Sequence, residues 1–286
     1  MSMASQRKTI VITGCSSGFG RVTALHMAQL GWQVYATVRK EADQESLLTE
    51  AARLHCKENL TPWICDITSS EQVTTLAQTV SASTFRLDAL LNNAGTTYAA
   101  PMELLAPEDL RAQFEINVIA HVAVTQAFLP LLKTARGTII NVSSVAGRIA
   151  TPLLGAYAAS KFALEAISDA WRIELAPFGV QVVLIEPNSY ATRIWQTSKD
   201  RAVTRMEQHR GGPYERLLSA VEKFSDRAAR QGHAPQEFAE TVEKILASRQ
   251  PRTRYILPRT DIGAILLHSL LPDRLWDRLV RRMLKW

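Results

Sequence analysis

The chain predicts a doubly wound α/β fold: a parallel sheet with helices on both faces, in one domain with a C-terminal helical extension. Two observations carry this. Short β-branched runs alternate with helical stretches at least six times between residues 9 and 185. Residues of distinctive chemistry (glycines, an arginine, amides and hydroxyls) directly follow the runs, at the strand ends where open parallel sheets bind ligands.

The first run, residues 9–13 (TIVIT), reads as a strand buried on both faces. TGCSSGFG follows, placing Gly14, Ser16, Ser17, Gly18, Phe19 and Gly20 between this strand and a helix that reaches about residue 30. Glycines there let the backbone turn sharply and approach a ligand, and the helix N-terminus attracts a pyrophosphate. The spacing is not G-x-G-x-x-G, and a plain tight turn remains the alternative. The second strand, 33–38 (QVYATV), stops at Arg39-Lys40. Sites for NAD carry an acidic residue near this place; a guanidinium instead suits a 2′-phosphate, unless Arg39 is simply a solvated residue after a strand.

A helix over 42–57 leads to a third strand, 61–65, ending in Asp66-Ile67. The carboxylate there either faces an adenine amine or caps the next helix, 69–83. The fourth strand, 88–91, ends in Asn92-Asn93-Ala94-Gly95, small residues suited to a close approach to a flat ring or to a turn. Residues 107–133 read as one long amphipathic helix with Asn117 among apolar neighbours, either a satisfied buried amide or a site residue. The fifth strand, 139–142, ends in hydroxyls that include Ser144. After a loop with Gly147 and Pro152 comes a helix carrying Tyr157 and, four residues on, Lys161. That spacing puts ammonium and phenol on one helix face, where a cation favours the phenolate. The sixth strand, 180–185, is followed by Glu186-Pro187-Asn188, and 255–257 forms a candidate seventh.

Composition narrows the function. The chain is 47% hydrophobic, with a net charge of +6 and a pI near 9.4. No basic run is interleaved with aromatics, which argues against nucleic acid. Cys15, Cys56 and Cys65 lack zinc or disulfide spacing and suggest reduced thiols in a cytoplasm. The residues MSMASQRKTIVITG do not read as a secretory signal, and no stretch reaches the roughly 18 apolar residues of a membrane span.

TGCSSGFG (13–20), CDIT (65–68), NNAG (92–95), Asn117, Ser144 and YAASK (157–161), in this order over residues 8–192, resemble the short-chain dehydrogenase/reductase family. VYATVR (34–39) and AFLPLL (127–132) are closest in texture to its hydroxysteroid and retinol dehydrogenase branch. The resemblance implies a Rossmann-type sheet and a hydride transfer between a nicotinamide and a carbinol carbon. Tyr157 would be the general acid/base, and Lys161 would hold the nicotinamide ribose and lower the tyrosine pKa. Ser144 would bond the substrate oxygen, with Asn117 supporting a water-linked proton path. Cofactor binding is expected from Gly14, Ser16, Ser17, Gly18, Phe19, Gly20, Arg39, Asp66, Ile67, Asn93, Ala94, Gly95, Tyr157, Lys161, Pro187 and Thr192.

NADP(H) is expected over NAD(H), on the strength of Arg39, with a bulky hydrophobic alcohol or carbonyl (steroid, retinoid or similar) as substrate. The assembly expected is a homodimer or homotetramer. The competing reading is a catalytically weak NADP(H)-binding regulator of the same fold. One departure stands out: Asn188 replaces the family's glycine after Pro187, and asparagine tolerates positive φ.

The division expected is 1–258 for the dinucleotide-binding and catalytic domain, with 190–250 as its substrate-cleft segment, and 259–286 as a tail. In that cleft segment Leu217, Leu218, Val221 and Phe224 recur at helical spacing. In the tail Leu275, Trp276, Leu279, Val280, Met283 and Leu284 form an apolar stripe among Arg274, Arg278, Arg281, Arg282 and Lys285. Such a helix either lies peripherally on a membrane surface or packs on the enzyme or a neighbouring subunit.

Overall fold

The computed structural model describes residues 7–188, 190, 211–219, 233–284 and 286. Seven strands form one parallel sheet: β1 (Thr9–Ile12), β2 (Gln33–Val38), β3 (Leu60–Ile64), β4 (Ala89–Asn92), β5 (Thr138–Val142), β6 (Gln181–Pro187) and β7 (Arg254–Leu257). Their order is β3-β2-β1-β4-β5-β6-β7, so the chain winds outward in both directions from the β1–β4 junction. Every residue of β1, β4 and β5 is buried, as strands covered on both faces must be. Pro62, which lacks a backbone donor, is confined to the edge strand β3.

Helices α1 (Gly18–Gln29), α2 (Glu41–Arg53) and α3 (Ser70–Ser83) follow the first three strands. One core layer joins Ile10, Ile12, Leu91 and Ile140 to α1 and to Phe238 and Val242 of a later helix, Gln236–Ala247. The other joins Val11, Leu90 and Ile139 to Leu76, Phe128 and Leu132. Phe19 stacks on Phe238 with centroids 4.2 Å apart, fixing the first turn of α1 against that late helix.

The long helix expected over 107–133 is interrupted. It runs as α4 (Pro107–Phe114), a π-turn (Glu115–Ile119) that contains Asn117, and α5 (Ala120–Ala135). Side-chain periodicity hid the break, because a π-turn inserts one residue without changing the apolar character of the segment. Length and hydropathy alone would let Pro107–Ala135 cross a membrane, but its apolar face packs in the second core layer. Helix α6 (Gly155–Glu174) follows β5. Gln236–Ala247 becomes α7, and the tail forms α8 (Ile262–Leu270) and α9 (Asp273–Leu284). Of the four hydrophobic residues expected at helical spacing in the cleft segment, Leu217 is buried and Leu218 half-buried; Val221 and Phe224 lie outside the described residues.

Candidate active site

The glycine loop and the NNAG loop meet where the winding reverses, at the C-terminal ends of β1 and β4. Gly14 has φ +72°, and a Cβ there would sit 2.8 Å from the Ala94 Cα. A Cβ on Gly20 would run into the Gly14 carbonyl, so α1 can start this close to the loop only with glycine. The Thr13 hydroxyl accepts from the backbone N–H of Asn93 (2.9 Å) and Ala94 (3.0 Å). The Asn93 amide in turn donates to the carbonyls of Thr13 (2.7 Å) and Gly14 (3.1 Å). The two loops are thus locked edge to edge.

Ser17 occupies the N-cap of α1 without capping it, and no acidic residue stands in the first turn. That turn's N–H groups and the helix dipole suit an anion, so the cradle fits a dinucleotide pyrophosphate. Ser16, Gly18 and Phe19 are half-buried along it. Arg39 is exposed just beyond β2, and Ile67 is buried. The Asp66 carboxylate accepts from Thr68 N (3.0 Å) and Thr68 Oγ1 (2.7 Å), and helix α3 is capped by Ser69. Burial raises the Asp66 pKa, but the Thr68 hydrogen bonds and the Arg39 guanidinium bring it below the usual carboxylate value. Gly95 is exposed at the end of the NNAG loop. Thr192 lies outside the described residues.

Asn117, Ser144, Tyr157 and Lys161 come together beyond β4 and β5. Ser144 Oγ accepts from Ala146 N (3.1 Å) and donates to the Pro187 carbonyl (3.2 Å). The Tyr157 phenol is half-buried beside it. The surrounding protein raises the phenol pKa above its ordinary value, and the neighbouring Ser144 hydroxyl partly offsets this. Lys161 Nζ lies 5.8 Å from the Tyr157 ring centroid and donates to the Val142 carbonyl at 2.7 Å. Burial brings the Lys161 pKa down to about 8, against the opposing pull of the Glu165 carboxylate. The backbone acceptor at the end of β5 thus holds the ammonium behind the phenol ring.

Asn117 is wholly buried in the π-turn. Its Oδ1 accepts from Thr96 N (2.9 Å), and its Nδ2 donates to Thr96 O (3.0 Å) and Ser160 Oγ (3.1 Å). Ser160 Oγ passes the chain on to the Tyr157 carbonyl at 2.7 Å. The side chain is thus employed in tying the loop after β4 to α6.

Three features escaped sequence reasoning. His121, one turn after Asn117, is wholly buried, with Nε2 2.6 Å from the Ala94 carbonyl and Nδ1 without a hydrogen bond. Burial first, and the Lys161 ammonium second, bring its pKa down to about 3, so the imidazole is neutral. Glu186, at the end of β6, is also wholly buried. It lies 3.5 Å from Arg148 and 3.3 Å from Arg254, which is shared with Glu165 (3.0 Å) and Asp169 (2.8 Å). Asn188 does not use positive φ. It binds instead through its backbone N–H to the Leu257 carbonyl (2.8 Å) and through Nδ2 to Asp261 (2.6 Å), which ties the loop after β6 to the start of the tail. The spacing of one histidine in a helix, and of acids and arginines scattered from 148 to 254, gave no signal of these contacts.

A buried hydroxyl beside a phenol, with an ammonium behind them and a pyrophosphate cradle across the sheet, suits proton transfer to an oxygen while a dinucleotide exchanges a hydride. The short chain dehydrogenase family model matches residues 8–202. Retinol dehydrogenase 5 of Mus musculus is 34% identical over 96% of this chain and 88% of its own length. The NADPH-dependent 3-dehydrocapnine reductase of Ornithobacterium rhinotracheale is 31% identical over 96% of each. In fold, the chain is similar to a short chain dehydrogenase/reductase from Burkholderia phymatum in complex with NAD, with a TM-score of 0.79, 24% identity, and 92% of this chain and 93% of that one covered. The chain belongs to the short-chain dehydrogenase family and is an oxidoreductase of the alcohol dehydrogenase/reductase type.

Proposed function

We propose that this oxidoreductase prefers NADP(H) and interconverts a hydroxyl and a carbonyl on a bulky hydrophobic substrate, with Tyr157 as general acid/base. The observation that carries the proposal is the Ser144 hydroxyl held beside the Tyr157 phenol at the end of β5, with the Lys161 ammonium buried behind. The nicotinamide supplies or accepts the hydride when bound.

Each side chain then has one task. Ser144, held by the Ala146 N–H, turns its proton from the Pro187 carbonyl to the substrate oxygen and fixes that oxygen's distance from the phenol. Tyr157 gives its proton to that oxygen in reduction and takes it in oxidation. Lys161 offers the N–H groups left over from Val142 to the ribose hydroxyls. Asn117 and Ser160 hold α6 at the right depth, and Gly14, Gly20, Asn93, Ala94 and Gly95 shape the dinucleotide groove.

Arg39 supports the choice of NADP(H), since an exposed guanidinium after β2 suits a 2′-phosphate, through charge and paired hydrogen bonds, far better than a lone 2′-hydroxyl. NADPH also stands in the name of the 3-dehydrocapnine reductase. Retinol and 3-dehydrocapnine are the molecules named for the two relatives, one in a dehydrogenase and one in a reductase. A cytoplasmic homodimer or homotetramer is part of the same reading.

The test is a panel of steroid, retinoid and long-chain ketones followed through NADPH absorbance, run in parallel with Arg39→Asp. Turnover of at least one lipophilic ketone is expected, with the NADPH-to-NADH ratio of kcat/KM falling in the variant by about tenfold or more. Cofactor binding without turnover across the panel would favour a regulator that kept only the groove. An unchanged ratio would remove Arg39 as the group that reads the phosphate.

A further inference from the structure

The C-terminal helices present a face that the described part of the fold leaves open. Helix α9 carries two apolar rows. Trp276, Val280 and Leu284 are half-buried, and Trp276 packs with Ile265 of α8 and with Val145 and Ile149, just beyond Ser144. Leu275, Leu279 and Met283 recur every fourth residue and are 47%, 36% and 74% exposed. Helix α8 repeats the pattern: Ile265 is buried, while Ile262, Leu266 and Leu270 are 40%, 57% and 80% exposed. Single exposed leucines are ordinary; successive helical rows of them mark a binding surface.

Charge around α9 is uneven. At about 100° per residue, Arg278 and Arg282 border the exposed row on the side away from the packed one. The helix holds four arginines against two aspartates, a net charge of +2. Arg281 and Arg282 also suit the negative end of the helix dipole, but the dipole gives no reason for leucines and a methionine facing water beside them. An antiparallel, face-to-face pairing of α9 with a second copy would bring the two sets of bordering arginines onto one edge, which disfavours that arrangement.

We infer that α9, supported by α8, docks this protein on the surface of an anionic lipid bilayer, the exposed row entering the interface and Arg278 and Arg282 meeting headgroup phosphates. The packed row rests on the loop that starts at Ser144, so the docked face adjoins the site. A lipophilic substrate would then pass from bilayer to Ser144 without crossing water. That corollary rests on the function proposed above; the docking does not.

The experiment is co-sedimentation of the full chain with phosphatidylcholine vesicles, with and without phosphatidylglycerol. Binding to the anionic vesicles at low salt is expected, lost at high salt and on neutral vesicles. Each of Arg278→Gln and Arg282→Gln should weaken it about fivefold. Leu279→Glu with Met283→Glu should reduce it by about tenfold or more, with melting temperature and turnover of a water-soluble carbonyl unchanged. Should that double variant unfold, bromine-labelled acyl chains provide the decisive reading on the unaltered chain: quenching of its tryptophan fluorescence supports insertion, and none overturns it. Folded, active protein that ignores anionic vesicles overturns the proposal. So does a dimer that Leu279→Glu with Met283→Glu converts to monomer while vesicles stay unbound, which would make the row a subunit contact. Vesicle binding by a chain with no turnover would leave the docking standing and sink the proposed function alone.

Discussion

Glu186→Gln should make the protein more stable at neutral pH and leave it little changed near pH 5. Glu186 is wholly buried, its oxygens make no aligned hydrogen bond, and burial together with the Glu165 charge raises its pKa to about 7, against the pull of Arg148 and Arg254. The unfolded value is 4.5. Between these values the folded state holds more protons than the unfolded one, so this group's contribution to stability is full below pH 4.5 and is lost as pH rises through 7. The span from 4.5 to about 7 corresponds to about 3 kcal/mol. Glutamine keeps the shape and cannot ionise, and Arg254 retains Glu165 and Asp169 as partners. Thermal unfolding at several pH values should therefore show the variant gaining on the parent from pH 5 to 7.5, by about 6 °C at the top. Parallel curves, or a variant that loses stability at pH 7.5, would mean that the two arginines hold Glu186 ionised and that the burial argument is wrong.

Gly14→Ala forces a side chain onto φ +72° and into the Ala94 backbone 2.8 Å away, so cofactor binding by titration calorimetry should weaken by about tenfold or more. The Lys161 pKa of about 8 predicts that dinucleotide affinity falls as pH rises through 8, because the ammonium that meets the ribose is present below that value. Affinity that stays flat from pH 7 to 9.5 would contradict this assignment.

The sheet was legible because parallel strands buried on both faces are rich in apolar and β-branched residues, as TIVIT and, after Gln33, QVYATV are. The glycine loop, Asn93, Ser144, Tyr157 and Lys161 were legible because topology places everything that follows a strand at the same edge. What depended on three-dimensional contact was not. The π-turn around Asn117 leaves no mark in hydrophobic periodicity. The fate of the Lys161 ammonium was decided by a carbonyl, Val142, that any residue could supply. His121 and the Glu186 cluster combine residues whose proximity comes only from folding. At Asn188 the backbone N–H and the side chain both bind, to Leu257 and Asp261, partners that only folding brings near.

The proposed function rests on a phenol at position 157 that moves the proton. Tyr157→Phe keeps the ring and removes only the hydroxyl. Measured with NADPH and the best ketone of the panel, kcat should fall by ~10²–10⁴-fold while the dissociation constant for NADPH changes little. Turnover within a few-fold of the parent enzyme would contradict the account and place the acid on another group.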